Sequence, residues 1–493
     1  MKLCLVNPPE IAGFVSDRDK AGGIGVARPF VATWRTPYLP PTPAMDLLYA
    51  AAIAEREGID VALVDAIGNR VGTEGVMAAV AAERPTHIGV RVTMPSLEED
   101  IAIANRLKVA HPDAKVFLFG HASQTTFAKW RTQTQVDAVF MGEVEALLMP
   151  YLNGEAHANI IDPKAGATFC ATWAYVEDLD SLPVPAWHKI DIAAYSPTKK
   201  VEDFVFYILT SRGCPKGCSM CPYYVHQGKQ WRFRSIDNVM AEFDKLRELG
   251  ARYIQTRDPN ISWRKPHLLA IAERLKGEKQ FRISTETDLE VLNEQDLVAL
   301  REAGFTRIMT GVESVDEAVL KDIRQNANAL KRSLANMELC EKLGIHVTGF
   351  FIVGSLNETW SSVRNTVATA KALPISYSVS LMTPYFGTAM REEFVEKGFY
   401  QPGAAFKSYN GYTGIVRTEG LTFSDVVLAH AWAAAELELV TRERQLARAT
   451  GQDKLKQLVR VGKQKLLVNS LRAKVAAAEA ASVAEAAQTA TPA

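Results

Sequence analysis

Residues 210–223 read Thr210-Ser-Arg-Gly-Cys214-Pro-Lys-Gly-Cys218-Ser-Met-Cys221-Pro-Tyr223, directly after the strand-like run 204–210. Half of the chain's six cysteines fall in 214–221, while Cys4, Cys170 and Cys340 stand alone. Three thiols spaced CxxxCxxC on a loop can converge on one inorganic centre. A structural zinc ion normally takes four protein ligands, and no fourth Cys or His completes a set nearby, His226 being the nearest. An iron–sulfur cluster normally takes four cysteines, so three leave one iron of a [4Fe–4S] cube open to a ligand from outside the protein. Idle buried cysteines and a zinc site are the alternatives, and loop placement with Gly213 and Gly217 speaks against the first.

Outward from this loop, strand and helix patterns alternate. Strands are expected at 204–210, 253–256, 282–285, 307–311, 347–353 and 377–382, with helices at 235–249, 266–275, 294–303, 329–343 and 359–373. Six β/α units suit a partial barrel that does not close on eight, with its site at the C-terminal strand ends. Upstream, strands at 2–6, 60–65, 87–92, 115–120 and 138–141 alternate with helices near 44–56, 73–83, 97–110 and 125–131. That alternation predicts a doubly wound, Rossmann-like α/β domain over 1–150, binding its ligand beyond the strand ends. A Pro-containing linker is expected over 151–200 and the barrel over 201–400. A helical C-terminal region over 401–474 and a flexible Ala-rich tail over 475–493 complete the division.

The chain has 493 residues, 47% hydrophobic and 23% charged, with 56 basic and 56 acidic side chains. This is ordinary globular composition, and a neutral balance makes no case for nucleic acid as the main partner. No apolar run reaches the length of a membrane span, and MKLCLVNPPE does not read as a signal peptide, so a cytoplasmic location is expected. Residues 441–474 carry ten Lys or Arg against two acidic residues. Leu455, Leu458, Val459 and Leu466 recur there at helical spacing, as an amphipathic helix would that packs on the fold. A solvated basic face, a nucleic-acid contact and a membrane-surface contact are all open for it.

With its cysteine spacing after a strand, the 201–390 segment resembles the radical S-adenosylmethionine superfamily. The later segments fit as well: Arg257-Asp258-Pro259, Ser284-Thr285-Glu286-Thr287, Gly311-Val-Glu313-Ser314, and Thr383-Pro384-Tyr385 with Gly387-Thr388. The resemblance implies that Cys214, Cys218 and Cys221 hold a [4Fe–4S] cluster whose open iron is chelated by S-adenosylmethionine. It also implies that Met220, Asp258, Glu286, Glu313 and Ser314 contact that cofactor. Met220 stands where an aromatic residue is frequent, and Arg257-Asp258-Pro259 replaces the family's Gly-Gly-Glu. Asp258, Glu286 and Glu313 have helix capping or Arg pairing as their alternative.

The N-terminal segment resembles the cobalamin-binding domain that precedes many such enzymes. The segments that carry this are Leu5-Val-Asn7-Pro8-Pro9, Pro40-Pro41 leading into Leu47-Leu48-Tyr49, Met94-Pro95-Ser96, Gly120-His121-Ala122-Ser123, and Gly142-Glu143 with Glu145. Asn7, Ser96, Gly120, His121, Gly142 and Glu143 are the implied cofactor contacts. The Asp-x-His-x-x-Gly motif is absent, its nearest echo being Asp17-Arg-Asp19-Lys-Ala-Gly22. The lower face of cobalt is therefore expected without that His ligand, and His121 is expected to touch the corrin or serve structure.

Together the resemblances imply a class B radical S-adenosylmethionine C-methyltransferase. It would act on an unactivated carbon of a small-molecule or natural-product substrate through a 5′-deoxyadenosyl radical and methylcobalamin. An electron donor such as flavodoxin or ferredoxin is the implied protein partner. The alternatives are a ring-forming or rearranging enzyme like the anaerobic Mg-protoporphyrin ester cyclase, and a non-catalytic cobalamin-binding protein. Tyr223, Tyr224, Gln227, Trp231, Trp263, Tyr385 and Phe386 either face the barrel mouth or belong to the core.

Overall fold

A computed structural model describes residues 1–19, 23–29, 41–165 and 172–489. Cys170, Pro40, the Lys20–Gly22 part of the Asp17 echo and the last four residues of the expected tail lie outside these.

Alternation of side chains along β1 (Lys2–Asn7) explains why the first domain has two cores. Leu3 and Leu5 point into one hydrophobic cluster and Cys4 and Val6 into the other, as the two-residue period of a strand covered on both faces requires. After a short antiparallel hairpin of β2 (Phe14–Asp17) and β3 (Val26–Pro29) come β4 (Asp60–Asp65), β5 (His87–Arg91), β6 (Lys115–Phe119), β7 (Ala138–Phe140) and β8 (Ile160–Ile161). The sheet runs β4-β1-β5-β6-β7-β8, parallel except for β8. The chain reverses at β1, which is where a doubly wound sheet opens its crevice.

The hairpin and β8 were absent from the sequence expectation, and both are too short to show a period. Segment 151–200 is more than a connector. It adds β8 to the first sheet, buries Trp187 against Phe206 of the second domain at 5.2 Å between ring centres, and sends the Tyr195 hydroxyl to Asp65 at 2.6 Å.

In the second domain the strands are β9 (Val205–Ile208), β12 (Tyr253–Thr256), β13 (Arg282–Glu286), β14 (Phe305–Glu313), β15 (His346–Val353) and β16 (Ser376–Leu381). Between β9 and β12, the pair β10 (Ser211–Arg212) and β11 (Arg232–Phe233) forms a separate antiparallel ribbon. The six main strands lie in order β16-β15-β14-β13-β12-β9, every neighbour parallel, with β9 and β16 left as edges of an open barrel. Capping boxes at Asn293 with Asp296 and at Thr359 with Ser362 start two of its helices where the sequence predicts them.

Helix Phe423–Arg448 packs on β16 and is covered in turn by helix Gly451–Thr489. The Ala-rich stretch from Val475 is helical to Thr489, in keeping with alanine's helix propensity. One expectation is corrected here. Leu455, Leu458, Val459 and Leu466 do not face the fold; Val461, Val468, Leu471 and Val475 do.

Candidate active site

The ribbon of β10 and β11 closes the neck of loop 213–231, so the three cysteines sit on a pinched loop at the carboxyl end of β9. Gly213 makes the pinch possible: its φ is +88°, and a β-carbon there would lie 2.0 Å from the Gln230 carbonyl oxygen. The Cys214 amide donates to the Gly228 carbonyl at 3.0 Å, and the Cys221 amide to the Cys218 carbonyl at 3.1 Å. Lys216 anchors the loop from within, donating to Asp288 at 2.5 Å, and Asp288 also accepts from Asn260 at 2.7 Å and the Trp263 indole at 2.8 Å.

All three thiols are half-buried and free. Burial pushes the Cys218 thiol up to about 12 and raises Cys214 and Cys221 as well. Such thiols become thiolates at neutral pH only against a metal, so the loop is suited to iron loading. Among the described residues no three His, Cys, Asp or Glu side chains are placed to hold a single ion. A cubane has no such need, since each thiolate takes its own iron.

Glu313 ends β14 at a register shift, with φ +61° in a region that costs a non-glycine residue energy. It is buried, and its Oε2 finds no partner among the described residues. Burial pushes its carboxyl up to about 8, against the pull of Lys216 and with Asp288 and Glu286 adding to the rise. An orphaned carboxyl held neutral by burial ionises when a cation arrives, which suits an ammonium group such as that of S-adenosylmethionine. Glu286, at the end of β13, is half-buried and acts electrostatically on Cys221. Met220 is partly buried against the core.

Asp258 and Ser314 are taken up internally. Asp258 accepts from the Thr210 hydroxyl at 2.7 Å and the Ser211 hydroxyl at 2.6 Å, tying β12 to the start of the ribbon. The Ser314 hydroxyl is 3.1 Å from that of Thr366 and accepts the Asp316 amide at 3.2 Å.

Across the domain boundary lies a cleft lined by Gly120, His121, Gly142 and Glu143 from the first domain and by Arg212, Tyr223, Gln227 and Arg257 from the second. Gly120 and Gly142 have φ of +127° and +155°, and β-carbons there would meet the Val92 and Ala174 carbonyl oxygens at 2.3 and 2.4 Å. Only glycine lets these strand ends pass so close to the neighbouring backbone. His121 faces His226 at 5.4 Å between ring centres, with Trp173 beside both. Burial holds His121 neutral, down to about 4, and among the described residues neither its Nδ1 nor either His226 nitrogen has a partner. Neutral imidazoles with free nitrogens fit a ligand rimmed with amides, as a corrin is.

Salt bridges lock this cleft. Glu143 accepts from two Arg232 nitrogens at 2.8 Å each, from Arg212 at 3.1 Å and from the Val176 amide at 2.7 Å; Glu145 accepts from Arg212 at 2.6 Å. Burial works to raise Glu143, but Arg212 and Arg232 hold it below the ordinary carboxylate value. Both arginines lie on the ribbon that pinches the cysteine loop, so the first domain grips the loop's neck directly. Nothing in the sequence pairs these groups, because each is a single charged residue more than sixty positions from its partner.

Two other expected contacts lie away from the cleft lining. Asn7 donates to Asp65 at 2.9 Å, although its own Oδ1 is unpartnered among the described residues, and Ser96 donates to Asp100 at 2.7 Å within a network that includes Thr93 and Arg18. Of the Asp17 echo, Asp19 pairs with Arg257 instead of standing free under a ligand.

Comparison with known proteins agrees with this geometry. Residues 208–370 match the radical SAM superfamily and residues 38–150 the B12 binding domain. An uncharacterized methyltransferase of Pyrococcus horikoshii is 25% identical over 363 residues, 71% of this chain and 78% of that protein. The cytidylyl-2-hydroxyethylphosphonate methyltransferase of Streptomyces wedmorensis is 24% identical over 76% of this chain and 82% of its own length. Among solved structures, the radical S-adenosylmethionine methyltransferase TsrM of Kitasatospora setae, with cobalamin and a [4Fe–4S] cluster bound, superposes with a TM-score of 0.64 at 17% identity, over 96% of this chain and 99% of that one. The chain thus carries a radical S-adenosylmethionine domain over 208–370 and, ahead of it, a B12-binding domain over 38–150, and these two domains imply a [4Fe–4S] cluster, S-adenosylmethionine and cobalamin as its cofactors.

Proposed function

We propose that this chain methylates an unactivated carbon of a small-molecule or natural-product substrate held between its two domains. The observation that carries the reading is one shared cavity. Tyr223, two residues beyond Cys221, and Gln227 line the same cleft as Gly120 and His121 of the B12-binding domain. A radical source and a methyl carrier can act on one carbon only if both reach it, and residues of the cysteine loop and of the B12-binding domain lining one cleft support that arrangement. The methyltransferase names of the two relatives support the same reading.

When bound, the cluster with S-adenosylmethionine supplies a 5′-deoxyadenosyl radical that takes a hydrogen atom, and cobalamin supplies the methyl group. The protein's part is placement. Cys214, Cys218 and Cys221 hold the cluster and leave one iron open. Glu313, with Glu286 beside it, receives the cationic end of S-adenosylmethionine, and Met220 lies along the cysteine loop for its nucleoside. Gly120, His121, Gly142 and Glu143 form the corrin side of the cleft. Lys216 on Asp288 fixes the loop, and Arg212 and Arg232 on Glu143 hold the loop's neck against the B12-binding domain. Orientation at this level is worth orders of magnitude in rate. A flavodoxin or ferredoxin in the cytoplasm would supply the electron.

Anaerobic reconstitution with iron, sulfide and hydroxocobalamin, followed by reduction and mass spectrometry of the products, tests the proposal. Methyl transfer yields S-adenosylhomocysteine and 5′-deoxyadenosine together. Release of 5′-deoxyadenosine without S-adenosylhomocysteine would replace it with ring-forming or rearranging chemistry, and release of neither with cofactor binding alone.

A further inference from the structure

Helix Gly451–Thr489 carries two apolar stripes. One is the seam against helix Phe423–Arg448: Val461, Val468, Leu471 and Val475 are buried there, and the Gln464 side chain donates to the Ala435 carbonyl at 2.8 Å. At about 100° per residue, Leu455, Leu458, Val459 and Leu466 fall on the opposite side of the helix. They are 68%, 49%, 53% and 73% exposed. The rows between the two stripes are cationic. Lys456, Arg460, Lys463 and Lys474 follow one edge of the exposed stripe and Lys454, Lys465 and Arg472 the other, by the same helical spacing. Lys456, Lys465 and Arg472 have acidic partners, but Lys454, Arg460, Lys463 and Lys474 have no carboxylate within reach among the described residues.

The geometry points to this face as a docking surface for the anionic headgroups of a lipid bilayer, with the helix lying flat in the interface. A helix already fixed along one side can sink its other side as a unit. The aliphatic stripe enters the acyl boundary, and the flanking lysine and arginine stems reach up to the phosphates. The stripe spans roughly 17 Å along the axis, and no helix among the described residues is long and apolar enough to cross a membrane, so contact stays at the surface. Charge and composition favour lipid over the rival partners. Two copies meeting stripe to stripe would set cationic edge against cationic edge. Single-stranded nucleic acid binding draws on aromatic stacking, and residues 449–481 contain no Phe, Tyr or Trp.

The test is flotation of the full-length, cofactor-loaded protein with vesicles of phosphatidylcholine alone or mixed with phosphatidylglycerol. The expected result is binding to the mixed vesicles only, weakened by salt. Removing a cation (Lys454→Ala, Arg460→Ala or Lys463→Ala) should weaken it roughly fivefold each. The double variant Leu455→Ser with Leu466→Ser should weaken it by more than about tenfold, at unchanged Tm, because these side chains are exposed. Absence of binding to the mixed vesicles overturns the proposal. So does binding indifferent to the leucine variant, a wild-type dimer that the leucine variant dissolves, or retention of RNA that the same variants abolish.

Discussion

Arg257, the first residue beyond β12, donates to Asp19, just beyond the N-terminal hairpin strand β2, from Nε at 3.1 Å and from a terminal nitrogen at 2.8 Å, with its guanidinium 4.7 Å from the centre of the Tyr207 ring. Both side chains are about nine-tenths buried, at 9% and 11% exposure. This pair joins the barrel mouth to the crevice floor, and Arg91 reaches toward the same carboxylate while holding Asp46 at 2.7 Å.

Removing one partner of a buried pair strands the other charge, at a cost of about 3–5 kcal/mol. Arg257→Ala should therefore lower Tm by several degrees and loosen hydroxocobalamin, read by thermal unfolding and equilibrium dialysis. An unchanged Tm would show that the two domains do not depend on this contact.

Replacing Cys214, Cys218 or Cys221 singly with Ala should abolish the visible absorption of the reconstituted cluster and the release of 5′-deoxyadenosine. Hydroxocobalamin should still bind, because its cleft is built largely from the other domain. A variant that keeps both cluster absorption and turnover would remove that cysteine from the ligand set.

Glu313→Gln keeps the shape and removes the charge that would meet the ammonium of S-adenosylmethionine. A hydrogen bond to a charged group is worth about 1.5–3 kcal/mol, so affinity should fall roughly tenfold to a hundredfold, with the cluster absorption intact. Equilibrium dialysis of cluster-loaded protein measures it. Equal affinity would leave the orphaned carboxylate without this role.

His121 is held neutral by burial, and its folded value near 4 lies below the ordinary 6.5. The unfolded chain therefore takes up a proton that the folded chain refuses. The stability this group contributes is complete above about pH 6.5 and is lost as pH falls toward about 4, with a slope of up to about 1.4 kcal/mol per pH unit. Urea midpoints of the cobalamin-free protein at pH 7 and pH 5 should show the fall, and His121→Asn should remove its share and leave that of His226, whose value is also lowered by burial. An identical slope in the variant would disprove the assignment.

Much of the architecture was legible because it rests on local pattern. The strands 253–256 and 60–65 and the helices 73–83 and 97–110 are predicted and observed with the same bounds. The ribbon of β10 and β11 was not legible, since two residues per strand carry no period and their pairing spans the whole cysteine loop. The outer helix misled for a different reason. Both its stripes have helical spacing, and only the position of helix Phe423–Arg448 selects Val461 and Val468 over Leu455 and Leu466 as the covered side.

Among the site residues the division follows the range of the interaction. Cys214, Cys218 and Cys221 stand out from spacing alone, because one short loop carries all three. Asp258 and Glu313 looked equivalent as acidic residues at strand ends, yet Asp258 is saturated by Thr210 and Ser211 while Glu313 keeps an unpartnered oxygen. Short-range order determined that this chain folds as a doubly wound domain followed by an open barrel with a three-thiol loop. Tertiary structure alone decided that Glu143 and Glu145 clasp the neck of that loop and that His121 meets His226, because burial and charge pairing depend on which distant segments come together in space.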